Sequence, residues 1–241
     1  MKEDLSGRRS VDSVVLSDEE QALEILRQSV FGLWEVVNNL TRLTPTRRPE
    51  FRVAIFGSAR IPRDHWVHAA VRDLARQLAV MGCAVITGGG PGLMEAANEG
   101  AALAGASASN VGIRVHLPFE QEVNPFVVES YEHRTFFSRL HHFVLASDAF
   151  VVVPGGIGTV LELSTIWQLL QVGKVHSEIP LILIGKMWAD FVAWARSYLL
   201  RPDFELAAPE DIEIPRCVGT ADDAIALLKP YYDEWLRKLP K

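Results

Sequence analysis

The sequence predicts an α/β protein: a Rossmann-like, doubly wound parallel sheet with helices on both faces. Short apolar runs such as Cys83-Ala84-Val85-Ile86-Thr87 and Ala149-Phe150-Val151-Val152-Val153 alternate with longer segments of helical periodicity. Continuous apolar runs mark strands buried on both faces, and alternation with helices arranges them in parallel. Three of the runs lead straight into glycine turns that open helices, at Gly57-Ser58-Ala59-Arg60, at Gly88-Gly89-Gly90-Pro91-Gly92 and at Pro154-Gly155-Gly156-Ile157-Gly158-Thr159. Such loops gather at the carboxyl ends of parallel strands, where open α/β sheets bind ligands. The 241 residues, 49% of them hydrophobic, suffice for one sizeable domain with a full core.

Taken in order, residues 1–15 show no periodicity and are expected to be disordered. Residues 16–48 read as a helix and linker. Ser17-Asp18-Glu19-Glu20 forms a capping box, and Ala22, Leu23, Ile25, Leu26, Val30, Leu33, Trp34 and Val37 keep amphipathic spacing to about Leu40. Thr44-Pro45-Thr46-Arg47-Arg48-Pro49 then breaks the pattern. This helix has no evident phosphate role and either packs on the sheet or builds a subunit interface. Residues 49–241 read as a single Rossmann-like nucleotide-binding domain. After the first strand come a helix at 64–81, a strand at 84–87, a helix at 91–104 and a strand at 109–115. A proline-containing loop at 116–125 precedes a strand near 127–132 and a helix at 135–147. Strand 149–153, helix 159–172, strand 180–184 and helix 187–200 follow. Beyond a polar stretch at 202–209, Thr220-Ala221-Asp222-Asp223 caps a final helix to about Lys238.

Composition excludes several classes. The net charge is −6, and Arg8-Arg9 and Arg47-Arg48 are only short basic pairs, so no nucleic-acid partner is expected. No secretory apolar core opens the chain, and no segment approaches the roughly 20 apolar residues of a membrane span. Cys83 and Cys217 give neither a disulfide framework nor metal spacing, which fits a reducing cytoplasm. Gly57-Ser58-Ala59-Arg60 is not G-x-G-x-x-G, and no glycine loop carries the lysine of a P-loop. Neither hydride transfer nor ATP hydrolysis is expected, and no cofactor or metal.

The 154–162 segment is a phosphate site by design. Glycines let backbone approach an anion closely, at φ values closed to other residues, and a helix start offers unpaired N–H groups and the positive end of its dipole. Gly155, Gly156, Gly158 and Thr159 can hold a phosphate, and Glu162, read in the first helical turn, stands near whatever the phosphate carries. Gly57, Ser58, Gly88, Gly89 and Gly90 furnish the neighbouring loops. Thr159-Val160-Leu161-Glu162 is also a capping box, in which Glu162 would only satisfy backbone N–H groups. Glu95 and Asn98 lie one turn apart and can reach a ribose.

Residues 154–162 match P-G-G-x-G-T-x-x-E at every specified position, Gly88 to Met94 match G-G-G-x-x-G-L-M, and Phe56-Gly57-Ser58 matches an F-G-S turn. On these motifs the chain resembles the Lonely Guy (LOG) family, also called "possible lysine decarboxylase", over about residues 51–200. The resemblance implies a phosphoribohydrolase that cleaves a nucleoside 5′-monophosphate, AMP-like and including cytokinin nucleotides, to free base and ribose 5-phosphate without metal or cofactor. It also implies a homodimer. The Trp, Phe and Leu residues of helices 159–172 and 187–200 read mostly as core, with Trp167 and Trp188 at a dimer interface as the alternative. The family's R-K-x-x-M stretch corresponds to Arg139-Leu140-His141-His142-Phe143, so Arg139 carries over as a catalytic residue beside Glu162, while lysine and methionine do not. Arg139 as a surface arginine, Arg134 as its substitute, and His141 or His142 as packing groups or proton donors remain open. So does a non-catalytic binding protein of the same fold, such as a molybdenum-cofactor carrier. A pyridoxal phosphate lysine is missing beside the loops, since Lys174 and Lys186 lie near the far ends of their elements.

Overall fold

Alternating side chains along the central strands divide the apolar residues between two layers. The computed structural model describes residues 19–40, 49–105, 109–116, 122–175 and 179–239. The expected disorder of 1–15, the Ser17-Asp18 half of the first cap, most of the 44–49 linker and the middle of the 116–125 loop lie outside the described residues. Helix α1 (Glu19–Leu40) belongs to a first unit, residues 1–43, and everything from residue 44 onward to a second.

In the second unit β1 (Phe51–Phe56), α2 (Trp66–Val80), β2 (Cys83–Thr87), α3 (Leu93–Leu103), β3 (Asn110–Val115) and β4 (Glu129–His133) come first. Then follow α4 (Phe136–Ala146), β5 (Ala149–Val152), α5 (Ile157–Gln171), β6 (Leu181–Ile184) and α6 (Lys186–Leu199). A small hairpin of β7 (Leu200–Arg201) and β8 (Phe204–Glu205), a short α7 (Pro209–Ile212), β9 (Pro215–Val218) and α8 (Ala221–Lys238) complete the unit.

The main sheet runs β4-β3-β2-β1-β5-β6-β9, and all its pairs are parallel. This is the doubly wound, Rossmann-like fold the sequence predicts. The chain winds outward from β1 to β4, returns to the other side of β1, and winds out again through β5, β6 and β9. Its switch point is the β1–β5 pair, in register from Val53 opposite Ala149 to Phe56 opposite Val152. Val53 and Ile55 face a core completed by α2, α3 and α8, whereas Ala54 and Phe56 face a second core with α4, α5 and α6. Period-two alternation thus serves two apolar faces at once, which is why these strands read as unbroken apolar runs.

Differences from the sequence reading have local causes. Helix α5 begins at Ile157 rather than at Thr159, with Gly156 as its N-cap. Strand β4 runs one residue past the expected end, to His133. The edge strand β9 escaped notice because Pro215-Arg216-Cys217-Val218 has neither an apolar run nor clean alternation, as an edge strand opening on proline permits. Trp188 is fully buried and donates from Nε1 to the Val153 carbonyl at 3.1 Å, so it is a core residue, not an interface residue. Trp167 is likewise held within the chain, its Nε1 donating to the Asp211 carbonyl at 2.7 Å.

Candidate active site

Because the connections after β1 and β5 leave toward opposite faces of the sheet at the switch point, the loops after β1, β2 and β5 surround one cleft of about 570 Å³. Ser58 ties them together through its backbone. Its N–H donates to the Pro154 carbonyl at 3.0 Å, and its carbonyl accepts from Leu93 N–H at 2.8 Å. Gly92 lets the β2 loop close on the β1 loop: it has φ +68, and a Cβ there would stand 2.6 Å from the Ser58 oxygen.

The cleft is lined by Gly57, Ser58, Gly88, Gly90, Gly156, Gly158, Thr159, Arg139 and Glu162. Gly89 and Gly155 are not among the lining residues. Gly89 donates its N–H to the Thr87 hydroxyl oxygen at 2.9 Å as a turn contact, and Gly155 packs against the Thr159 side chain. Gly156 has φ −95, open to any residue, so its conformation is not what requires glycine. What distinguishes Gly156 and Gly158 is space, since a Cβ at either meets nothing within 4 Å. No side chain caps α5, leaving its first N–H groups directed at the cleft, an arrangement that favours an anion.

The α5 boundary also decides what Glu162 is. With Gly156 as N-cap, Thr159 stands inside the helix and Glu162 lies beyond the first turn, so the expected capping box does not form. Glu162 Oε1 instead meets Arg139 Nη1 at 3.3 Å, with the side chains only 11% and 13% exposed. Burial pushes the Glu162 carboxyl up to about 7, opposed by the Arg139 charge. Burial also lowers Arg139 from its ordinary value, against the pull of Glu162. Arg139 is held rigidly, donating from Nε to the Ile113 carbonyl at 2.8 Å with its guanidinium 5.3 Å from the Phe143 ring centroid. A guanidinium clamped this way keeps a charged carboxylate available in a poorly solvated place.

The neighbouring candidates separate. Leu140 and Phe143 are buried in the core beneath α4, so the departures from R-K-x-x-M alter packing there rather than the cleft surface. Arg134 is exposed and does not line the cleft. His141 and His142 do not line it either. His142 Nδ1 lies 2.9 Å from His133 Nε2, and burial lowers His141 from its usual value. Glu95 pairs with Arg63 at 3.0 Å, and Asn98 is fully buried in a network with Thr87, Asn110 and Asn124, so neither reaches the cleft as a ribose ligand. Cys83 is buried and its thiol is pushed up to about 12, an inert group.

The sequence reading missed Arg60, Arg114, His116, Glu132 and Phe136, all of which line the cleft. His116 Nδ1 and Glu132 Oε1 stand 3.7 Å apart at its mouth. Arg114 and Glu132 lie near the carboxyl ends of β3 and β4, and that position was the signal that could have found them. Among the described residues no lysine lines the cleft, so nothing there can form the Schiff base that pyridoxal phosphate chemistry needs.

Comparison with known proteins agrees with this architecture. Three curated pyrimidine/purine nucleotide 5′-monophosphate nucleosidases from Escherichia coli strains are 29% identical over 167 residues, 66% of this chain. The match spans only 36% of their own length. The fold is shared with the molybdenum cofactor carrier protein of Chlamydomonas reinhardtii (20% identity, TM-score 0.56, covering 78% of this chain and 99% of that one). It is shared also with the molybdenum cofactor binding protein of Rippkaea orientalis (21% identity, TM-score 0.55, covering 77% and 98%). No described helix is long and apolar enough to cross a membrane. The family model "Possible lysine decarboxylase" matches residues 94–228, more than half of the chain and all of the P-G-G-x-G-T-x-x-E segment, and the protein therefore belongs to that family, the Lonely Guy family its motifs resemble.

Proposed function

We propose that this protein hydrolyses the N-glycosidic bond of a nucleoside 5′-monophosphate, releasing free base and ribose 5-phosphate. The observation that carries the reading is the buried Arg139–Glu162 pair, which lines the same cleft as the uncapped start of α5. Breaking the bond builds positive charge on the ribose and negative charge on the departing base. In this reading the 5′-phosphate lies against the backbone N–H groups of Gly156, Gly158 and Thr159, with Gly57, Ser58 and the Gly88–Gly90 loop completing the wall. The Glu162 carboxylate then faces the anomeric carbon. It orients a water whose oxygen bonds to that carbon as the carbon–nitrogen bond breaks, and the water's proton leaves to solvent or base. Arg139 opposes the rise that burial imposes on Glu162, so that a share of it is ionised near neutral pH, and lends its remaining N–H groups to the nucleotide. The nucleosidase names of the Escherichia coli relatives support the substrate class.

AMP-like substrates, cytokinin nucleotides among them, and a homodimer complete the proposal by family resemblance, and a cytoplasmic setting completes it from the cysteine usage. Incubation of the purified protein with AMP, GMP, CMP and N6-isopentenyl AMP, with free base measured by chromatography, tests it. Base release from at least one nucleotide is expected. Tight binding with no release from any would overturn the hydrolase and leave a binding protein, as the fold shared with molybdenum-cofactor carriers would then suggest.

A further inference from the structure

Gly88 follows directly on β2, and its backbone does not explain why it is glycine. Its φ lies outside the left-handed region, unlike those of Gly89 and Gly92 beside it, so alanine fits the chain conformation there. What alanine would lack is room. A Cβ at Gly88 would overlap Nη2 of Arg139 and stand 2.6 Å from Sδ of Met94. Its nearest neighbours would thus be the tips of two side chains, and these differ in freedom. Met94 is an unbranched, flexible thioether and can turn aside. Arg139 is held on its other edges: Nε donates to the Ile113 carbonyl at 2.8 Å, Nη1 meets Glu162 Oε1 at 3.3 Å, and Cζ stands 5.3 Å from the Phe143 ring centroid. The guanidinium is a rigid plane, so a push at Nη2 also moves Nη1 and Nε.

We propose that Gly88 is a positioning residue: the space left by its missing side chain seats the Arg139 guanidinium and so sets the Arg139–Glu162 contact. The consequence for turnover rests on the hydrolase reading above, whereas the seat itself does not. Arg139 comes from α4, Glu162 from α5 and the Ile113 carbonyl from β3, and Gly88 adds the end of β2 to the elements that hold the pair. A methyl group at Gly88 would drive the guanidinium off the carboxylate and leave Glu162 as dry as before with its cation misplaced. The fold would lose little, because the overlap falls on side-chain tips and not on backbone.

Full-length Gly88→Ala, Arg139→Ala and the double variant test the proposal. The first measurement needs no substrate: the Glu162 carboxyl is titrated by NMR in protein carrying carboxyl-labelled glutamate, its signal assigned by its absence in Glu162→Gln. The midpoint in Gly88→Ala is expected at least about 0.5 pH unit above that of wild type, in the direction of Arg139→Ala. The double variant should titrate no higher than Arg139→Ala alone. The second measurement is base release. Gly88→Ala should lower kcat by at least about tenfold with a smaller change in KM, and its acid limb should move to higher pH. In the Arg139→Ala background the same substitution should cost nothing further, as for residues that act as a unit. A glycine that only lined the phosphate would raise KM, leave the Glu162 midpoint in place and add its cost to that of Arg139→Ala. An unshifted midpoint, or additive costs, in folded variants overturns the seat. Were the wild type to cleave no nucleotide, the hydrolase reading would fail and the titration would still decide the seat. Should Gly88→Ala not fold, recovery of a cooperative melt in the double variant supports the seat, and its absence overturns it.

Discussion

Glu162 holds a carboxyl group where little water reaches it, 3.3 Å from a guanidinium that is itself fixed to the Ile113 carbonyl. Replacement by glutamine keeps the shape and removes the charge. Glu162→Gln is expected to lower base release by at least about 100-fold while nucleotide affinity stays within about tenfold. Wild-type turnover in that variant would make Glu162 structural only. The raised carboxyl also sets a pH dependence. Activity that needs the carboxylate should rise through about pH 7 on its acid side, and Arg139→Ala should move that limb higher, since the arginine holds the value down. Arg139→Ala should further cost about 1.5–3 kcal/mol, roughly 10–150-fold, with Arg139→Lys restoring part of it. Two near-neutral arginine variants would remove it from the chemistry. Stability carries the same signature with a definite sign. The folded value, about 7, lies above the ordinary 4.5, so the folded protein keeps a proton that the unfolded chain releases in between. The native state therefore loses stability as pH rises across that window, by at most on the order of 3 kcal/mol, and no further above it. The melting point of wild type relative to Glu162→Gln should fall between pH 5 and pH 8. A constant difference would return Glu162 to an ordinary carboxyl.

Two glycines show how one residue type does different jobs in neighbouring elements. At the start of α5, Gly156 has an ordinary φ and open space where a Cβ would stand. Gly156→Val should fold with a nearly unchanged melting point and bind nucleotide at least about tenfold more weakly, because its branched side chain fills the approach to the helix N-terminus. Unchanged affinity, by calorimetry, would take this loop out of the site. In α3, Gly100 lies against the Arg72 carbonyl, so a Cβ would overlap backbone of α2. Alanine has the better helix propensity by about 1 kcal/mol, yet forcing two helices apart costs typically 1–3 kcal/mol and occasionally more. Gly100→Ala is therefore expected to lower the melting point while leaving turnover per folded molecule unchanged; a more stable variant would mean that the two helices yield at little cost.

At the scale of the whole molecule, both apolar cores are assembled from residues between Phe51 and Leu228, all of them in the second unit. Removal of residues 1–43 should accordingly leave the second unit folded, with a melting point within a few degrees of the full chain and base release retained. Loss of cooperative melting in the truncated protein would show that the first unit is part of the fold.

The doubly wound sheet was legible in the sequence because each buried strand writes its environment locally, as an apolar run, and each glycine turn follows directly on it. The phosphate-type loops were legible for a related reason: their chemistry is that of backbone, and glycine spacing reports backbone. The ends of elements were less so. Thr159 looked like a cap because hydroxyl and acid stand in the right spacing, but the helix starts earlier, at Ile157 with Gly156 as its N-cap, and that shift freed Glu162 for Arg139. Asn98 looked like a ligand until Asn110 and Asn124, from other segments, absorbed its hydrogen bonds. Arg114, His116 and Glu132 became cleft residues only when β3 and β4 paired in parallel and delivered their ends to the same rim. The sequence by itself determined the layers, the winding and the glycine loops, since these follow from burial period and backbone freedom. Tertiary structure alone decided which charged groups face one another and how dry their surroundings are, because proton affinity and ion pairing depend on neighbours brought together from distant parts of the chain.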